Sequence, residues 1–155
     1  MFSKTSIFNL ALNELLLQRR IINADADTSN ECRVLDTNWE VALFGTLEDL
    51  DLDSTSTDFT MELVEENPND NWLYAYKYPQ NCAFFRRIKS CQQQDNRTSF
   101  IPKRVGMHEG SKVVFTNEYQ AVCEMIPKDI DLSTLSANTA LAIARRLAAL
   151  SSPLS

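Results

Sequence analysis

Asn71-Trp72-Leu73-Tyr74-Ala75-Tyr76-Lys77-Tyr78-Pro79 is the stretch on which the fold reading turns. Aromatic side chains fall at every second position from Trp72 to Tyr78, the period of a strand that buries one face. Pro79 then holds Tyr78 extended and forces the chain to leave the strand. Just upstream, Asn67-Pro68-Asn69-Asp70-Asn71 is rich in turn formers, and before it Phe59, Met61 and Leu63 alternate with Thr60 and Glu62. Downstream, Phe84 to Lys89 and Lys112 to Thr116 read as extended segments. Asn117-Glu118 follows as a turn, then Tyr119 to Ile126 with Ala121, Cys123 and Met125 on one side. An antiparallel β region is therefore expected over about 59–126.

On either side of this region the period changes to that of a helix. Ile7, Leu10, Ala11, Leu15 and Leu17 line one face of a stretch running from Ser6 to Ile22, which predicts a first helix over about 6–22. After an Asn23-Ala24-Asp25-Ala26-Asp27 connector, Thr28-Ser29-Asn30-Glu31 has the hydroxyl and Glu spacing of a capping box. A second helix is expected over about 29–44, carrying Cys32, Leu35, Trp39, Ala42 and Leu43, with Gly45 placed to end it. Ser133 or Ser136 can cap a final helix over about 134–151, whose Leu135, Thr139, Leu141, Ala142, Ala144, Leu147, Ala148 and Leu150 form a face rich in small residues. The order predicts an α+β fold. Two N-terminal helices and the C-terminal helix form a helical bundle with a small antiparallel β insertion, in a single domain over 1–155.

The 155 residues, 44% hydrophobic and 23% charged, are the composition of a globular chain with one real core. The longest apolar runs fall well short of the roughly 20 residues that cross a bilayer. Fifteen basic against twenty-one acidic residues leave a net charge of -6, which disfavours a broad basic face gripping nucleic-acid phosphates. Met1-Phe2-Ser3-Lys4 leads into a polar-interrupted stretch and does not read as a secretory signal. Cys32, Cys82, Cys91 and Cys123 are accordingly expected to be reduced, and the Asn96-Arg97-Thr98 sequon to be chance.

Chemistry-bearing patterns are sparse. There is no Gly-rich phosphate loop, no nucleophile elbow, no zincin motif and no CxxC pair, and His108 is the one histidine. His108 lies in Gly106-Met107-His108-Glu109-Gly110 and reads as a surface loop histidine. Glu48 to Asp58 is an acidic loop without the glycine and terminal Glu of an EF-hand. No enzyme activity, metal or cofactor is expected. Basic residues gather at Arg86, Arg87 and Lys89, at Lys103 and Arg104, and at Arg145 and Arg146; Phe84, Phe85 and Phe100 lie among the first two groups. The first two sets read either as base-stacking patches or as core aromatics with arginines paired to carboxylates. The ladder of Trp72, Tyr74, Tyr76 and Tyr78 likewise has two readings, sheet core or an interface between subunits.

Phe8-Asn9-Leu10-Ala11-Leu12-Asn13-Glu14-Leu15-Leu16, the Cys32…Trp39…Ala42-Leu43 helix, Asn71 to Cys82, Phe115-Thr116-Asn117 and Ala140 to Ala148 together resemble the tail tubular protein A, or head-to-tail adaptor (connector), of short-tailed bacteriophages. The resemblance is collinear over nearly the whole chain, and the WxYAYxxPxxC block followed by the alanine-rich helix is its most specific part. In place of an expected glycine, the join between the first two helices carries Arg19-Arg20-Ile21-Ile22, and the chain stops at Ser155 where relatives continue. The resemblance implies a structural virion protein at the head-tail junction, assembled in the host cytoplasm. It would form a homo-oligomeric ring, twelve-fold in relatives, between the portal protein and the tail nozzle protein. Double-stranded DNA would pass through its lumen without sequence-specific binding, and the ring would help retain and then release the genome. Candidate interface residues are Trp72, Tyr74, Tyr76, Tyr78, Arg86, Arg87, Arg145, Arg146, Leu150 and Pro153, with the alanine-rich helix and the Ser151 to Ser155 tail expected on the portal. Two other classes stay open: a small acidic phage-encoded interaction module that binds a cytosolic partner, and a small metal-dependent nuclease.

Overall fold

The computed structural model describes residues 1–50, 53–90 and 101–152. Two compact units emerge, one of Met1–Thr55 with Ile130–Ser155 and one of Ser56–Asp129.

The first unit is helical: α1 spans Lys4–Glu14, α2 Asn30–Asp49 and α3 Ala137–Leu150. Ser3 caps α1 reciprocally with Ser6, Ser29 caps α2 through the Cys32 amide, and Ser136 caps α3 through the Thr139 amide. Thr139, Ala140, Ile143, Ala144, Leu147 and Ala148 form the buried stripe of α3, which packs against both α1 and α2. Small residues along that stripe let three helices approach closely around Phe8, Ala11, Leu12, Leu35 and Ala42. The small-residue face proposed for the portal is thus the face that α3 buries within its own unit.

Two helix ends differ from the sequence reading. α1 stops at Glu14, well short of Ile22, because Leu16 adopts a left-handed φ of 60°. The Leu17 amide then donates to the Leu12 carbonyl and the Leu16 amide to that of Asn13, the paired bonds of a Schellman motif with leucine in the glycine position. Gly45 does not end α2, which runs on to Asp49; a Cβ there would meet the Arg146 guanidinium carbon at 3.1 Å, so the glycine is the notch over which Arg146 crosses to Asp49.

The second unit overturns the expected small β insertion. Among the described residues the chain has three helices and seven strands in two antiparallel sheets, 37% helix and 27% strand. The strands are β1 (Thr57–Thr60), β2 (Leu63–Glu66), β3 (Tyr74–Lys77), β4 (Cys82–Lys89), β5 (Lys103–His108), β6 (Ser111–Thr116) and β7 (Val122–Pro127). One sheet has the order β1-β7-β4, the other β2-β3-β6-β5. The segment from Phe59 to Leu63 is not one strand: it leaves the first sheet after Thr60, buries Met61 at the corner and enters the second at Leu63. Between the sheets lies a core of Met61, Tyr76, Phe85, Ile88, Val114, Cys123 and Met125. β4 carries two bulges, so its buried residues recur every third position, at Cys82, Phe85 and Ile88.

β5 escapes sequence reading because Lys103, Arg104, Gly106 and His108 hide its alternation, yet it pairs with β6 along its whole length. Glu109 and Gly110, both at positive φ, make the two-residue turn that joins them.

Candidate functional site

The aromatic ladder divides between two places. Tyr76 is 2% exposed in the core between the sheets, where its hydroxyl donates to the Glu118 carbonyl at 2.7 Å and accepts from the Ala121 amide. Tyr74 and Tyr78 pack half-buried against the same core, Tyr78 with its ring 6.0 Å from that of Phe85. Trp72 precedes β3 and goes elsewhere, covering Ala75, Val113 and Phe115 on the opposite face of the second sheet. Burial pushes the Tyr76 and Tyr78 hydroxyls up from the ordinary phenol value, and the Tyr78 hydroxyl accepts from the Cys82 thiol at 3.6 Å.

The arginines are drawn into contacts within their own units. Arg87 pairs with Glu124, which is buried in the central strand β7 and lies 3.8 Å from the Lys89 ammonium. A buried carboxylate held by two cations is stable only while both remain in place. Arg86 donates to the Ser56 hydroxyl at 2.9 Å and lies over the Phe84 ring. Arg146 pairs with Asp49 at 2.9 Å, Arg145 reaches Glu14 at 3.6 Å from an exposed position, and Leu150 is exposed at the end of α3. Ser151 is fully buried, its amide bonded to Leu147 and its hydroxyl to Asn38, so the tail is anchored at its first residue. Pro153, Cys91, Phe100 and the Asn96 sequon lie outside the described residues.

Exposed large apolar side chains occur on both units: Leu16, Ile22, Val41 and Leu150 on the helical one, and a set along the strand edges of the β unit. All four residues of the edge strand β1 are exposed, Phe59 among them. The other sheet presents Leu63 and Val64 on its edge β2, and Val105 and Met107 on its opposite edge β5. Edge strands carry unpaired backbone donors and acceptors, and apolar side chains on such edges mark sites where another chain can dock.

At one end of the sandwich the ends of β3, β4, β6 and β7 surround a cavity of about 640 Å³. Lys77, Lys112 and Lys128 stand on its rim, Val113 is fully buried at its floor, and Tyr78, Gln80 and Ser111 supply polar groups. Among the described residues none of these lysines is paired to a carboxylate. The Lys112 ammonium sits 4.0 Å from the centre of the Tyr78 ring, held by its π face. This cationic mouth in an acidic chain was not legible in sequence, because its lysines lie on three different strand ends and each is ordinary by itself. Burial pushes the Cys82 thiol, also on this cavity, above its ordinary value against the pull of Tyr78, Lys112 and Lys128.

His108 is not in a loop. It is the last residue of β5, its side chain is 17% exposed, and its ring meets Phe115 edge-on at 6.0 Å. Its Nε2 is hydrogen-bonded to Glu65 Oε2 and lies 4.0 Å from Glu109 Oε1. Sequence reasoning passed over Glu65, 43 residues away in the chain.

Neither the known protein families nor the characterised proteins compared with this chain include a match to it. Among the described residues, no helix is long and apolar enough to cross a membrane.

Proposed function

We propose that this protein is a structural head-to-tail adaptor that assembles as a ring between a phage portal and its tail nozzle. The observation that carries the reading is the placing of exposed Phe59, Leu63, Val64, Val105 and Met107 on the unpaired edge strands of a small β sandwich. A ring needs two different patches on each subunit, one docking on the other's complement in the next copy. The β unit offers such a pair, since Phe59 is exposed on β1, an edge of the first sheet, and Val105 and Met107 are exposed on β5, an edge of the second. The net charge of -6 suits a channel wall that repels phosphates and lets DNA slide. With the small face of α3 used internally, the portal contact falls to its outward residues, Arg145 and Leu150.

Native mass spectrometry of the full chain, alone and mixed with the portal of the same phage, tests the proposal. A monomer that converts on the portal to a ring of roughly twelve copies is the expected result, and Met107→Glu should block the conversion without unfolding the chain. A monomer that ignores the portal would overturn the adaptor reading in favour of an interaction module with a cytosolic partner.

A further inference from the structure

Glu65 and His108 belong to opposite edges of one four-stranded sheet, β2 and β5, with β3 and β6 between them. In a flat sheet three strand spacings would hold those edges about 14 Å apart. Their side chains nevertheless meet, so the sheet coils strongly toward the face they share. That they share a face at all depends on an irregularity. Leu63 opposes Tyr76 but Glu65 opposes Ala75, with Val64 as the extra residue of a bulge. Without the bulge Glu65 would stand on the side of Tyr74, turned toward the core. With it, Glu65 joins Ala75, Val113, Phe115 and His108 on the outer face, and bulges recur where a strand has to re-aim one side chain.

The floor beneath the pair is made of small groups. Ala75 has only a methyl group, and Gly106 has no side chain; a Cβ there would sit 3.4 Å from the Phe115 ring. Phe115 packs over Gly106 and meets the imidazole edge-on. The turn after His108 adds Glu109. The His108 Nε2 and one oxygen of each glutamate all lie within 4.8 Å of one another. Among the described residues, neither glutamate is paired to a lysine or arginine.

We propose that Glu65, His108 and Glu109 bind a first-row divalent transition cation, with Zn²⁺ the best fit. One imidazole nitrogen and two carboxylate oxygens form a borderline donor set that favours such ions over Mg²⁺ or Ca²⁺, which prefer all-oxygen shells. Two carboxylates and a neutral imidazole balance the dication. Three protein donors leave a fourth tetrahedral position for water or for a group from a partner. The bound ion would clip β2 to the tip of the β5–β6 hairpin and hold the sheet in its coiled form. This site is independent of the adaptor reading and would exist in a monomer.

The test uses the full chain, freed of metal with chelator, and titrates Zn²⁺ by calorimetry and native mass spectrometry with Mg²⁺ as the comparison. One Zn²⁺ per chain with a raised melting temperature is expected. His108→Asn and Glu65→Gln should weaken binding at least tenfold, and Glu109→Gln, a change in an exposed turn, should weaken it several-fold while the fold is intact. Co²⁺ should bind with ligand-field bands and no thiolate charge-transfer band, which separates this site from the cysteines. Binding no tighter than Mg²⁺, unchanged affinity in Glu109→Gln and His108→Asn, or a thiolate band would each overturn the assignment.

Discussion

Asn9→Ala probes how the helical unit fixes the long connector between α1 and α2. Asn9 sits on α1, and its side-chain amide donates to the Ile21 carbonyl at 2.8 Å while its Oδ1 accepts from the Ile21 amide at 2.8 Å. A single side chain thus replaces a strand partner for a residue that is 1% exposed. Truncation removes two hydrogen bonds, each worth about 1 kcal/mol net, and leaves a buried donor and a buried acceptor unpaired, which adds about 1 kcal/mol or more. The expected loss is about 3 kcal/mol, or roughly 6–12 °C in melting temperature for a chain of this size. Urea and thermal unfolding followed by far-ultraviolet circular dichroism would measure it. Asn9→Asp sharpens the test, because it keeps the acceptor for the Ile21 amide but turns a second oxygen on the Ile21 carbonyl. It should be no more stable than the alanine variant near neutral pH. A loss under about 0.5 kcal/mol for Asn9→Ala, or an aspartate variant as stable as wild type, would show that the Asn9 bridge does not hold the connector.

Leu16→Gly should stabilise the chain by about 0.5–1 kcal/mol, since it relieves the left-handed strain at an almost fully exposed site and gives back part of the gain as unfolded-state entropy; a fall in urea midpoint would contradict the Schellman reading. Arg87→Met should cost about 3–5 kcal/mol by leaving buried Glu124 under-compensated, and adding Glu124→Met should recover most of it. If denaturation curves instead show the two losses adding, the pair is not coupled. In a Cys91→Ser background, Cys32, Cys82 and Cys123 should react slowly with a disulfide reagent at about pH 8 and all at once on unfolding. Burial raises each thiol, Cys123 to about 12, so little of the reactive thiolate exists at that pH; rapid labelling of the native protein would count against their burial.

Local signals in this chain carried as far as element type and no further. Helical spacing located α2 and α3, although the cap of α2 is Ser29 on the Cys32 amide and not the Thr28–Glu31 box, and of the two serines offered for α3 it is Ser136 that caps; the alternation from Trp72 to Tyr78 located β3. Each of these spacings is complete within a few turns or residues. The end of α1 was misplaced since a leucine took the conformation that a glycine advertises, and α2 ran through Gly45 because Arg146, distant in sequence, needed the room. The amount of β structure was underestimated for a related reason: β5 has almost no hydrophobic alternation of its own and exists because β6 offers it a complete ladder.

Composition by itself determined an acidic chain with a sizeable core and without sequence-local catalytic motifs, since charge and motif spacing need no folding to be read. Only the tertiary structure decided which residues stand together: Arg87 on buried Glu124, three lysines around one cavity, and Glu65 against His108 across a coiled sheet. Strand order and a one-residue bulge set those neighbours. Both follow from long-range backbone pairing, which no window of consecutive residues contains.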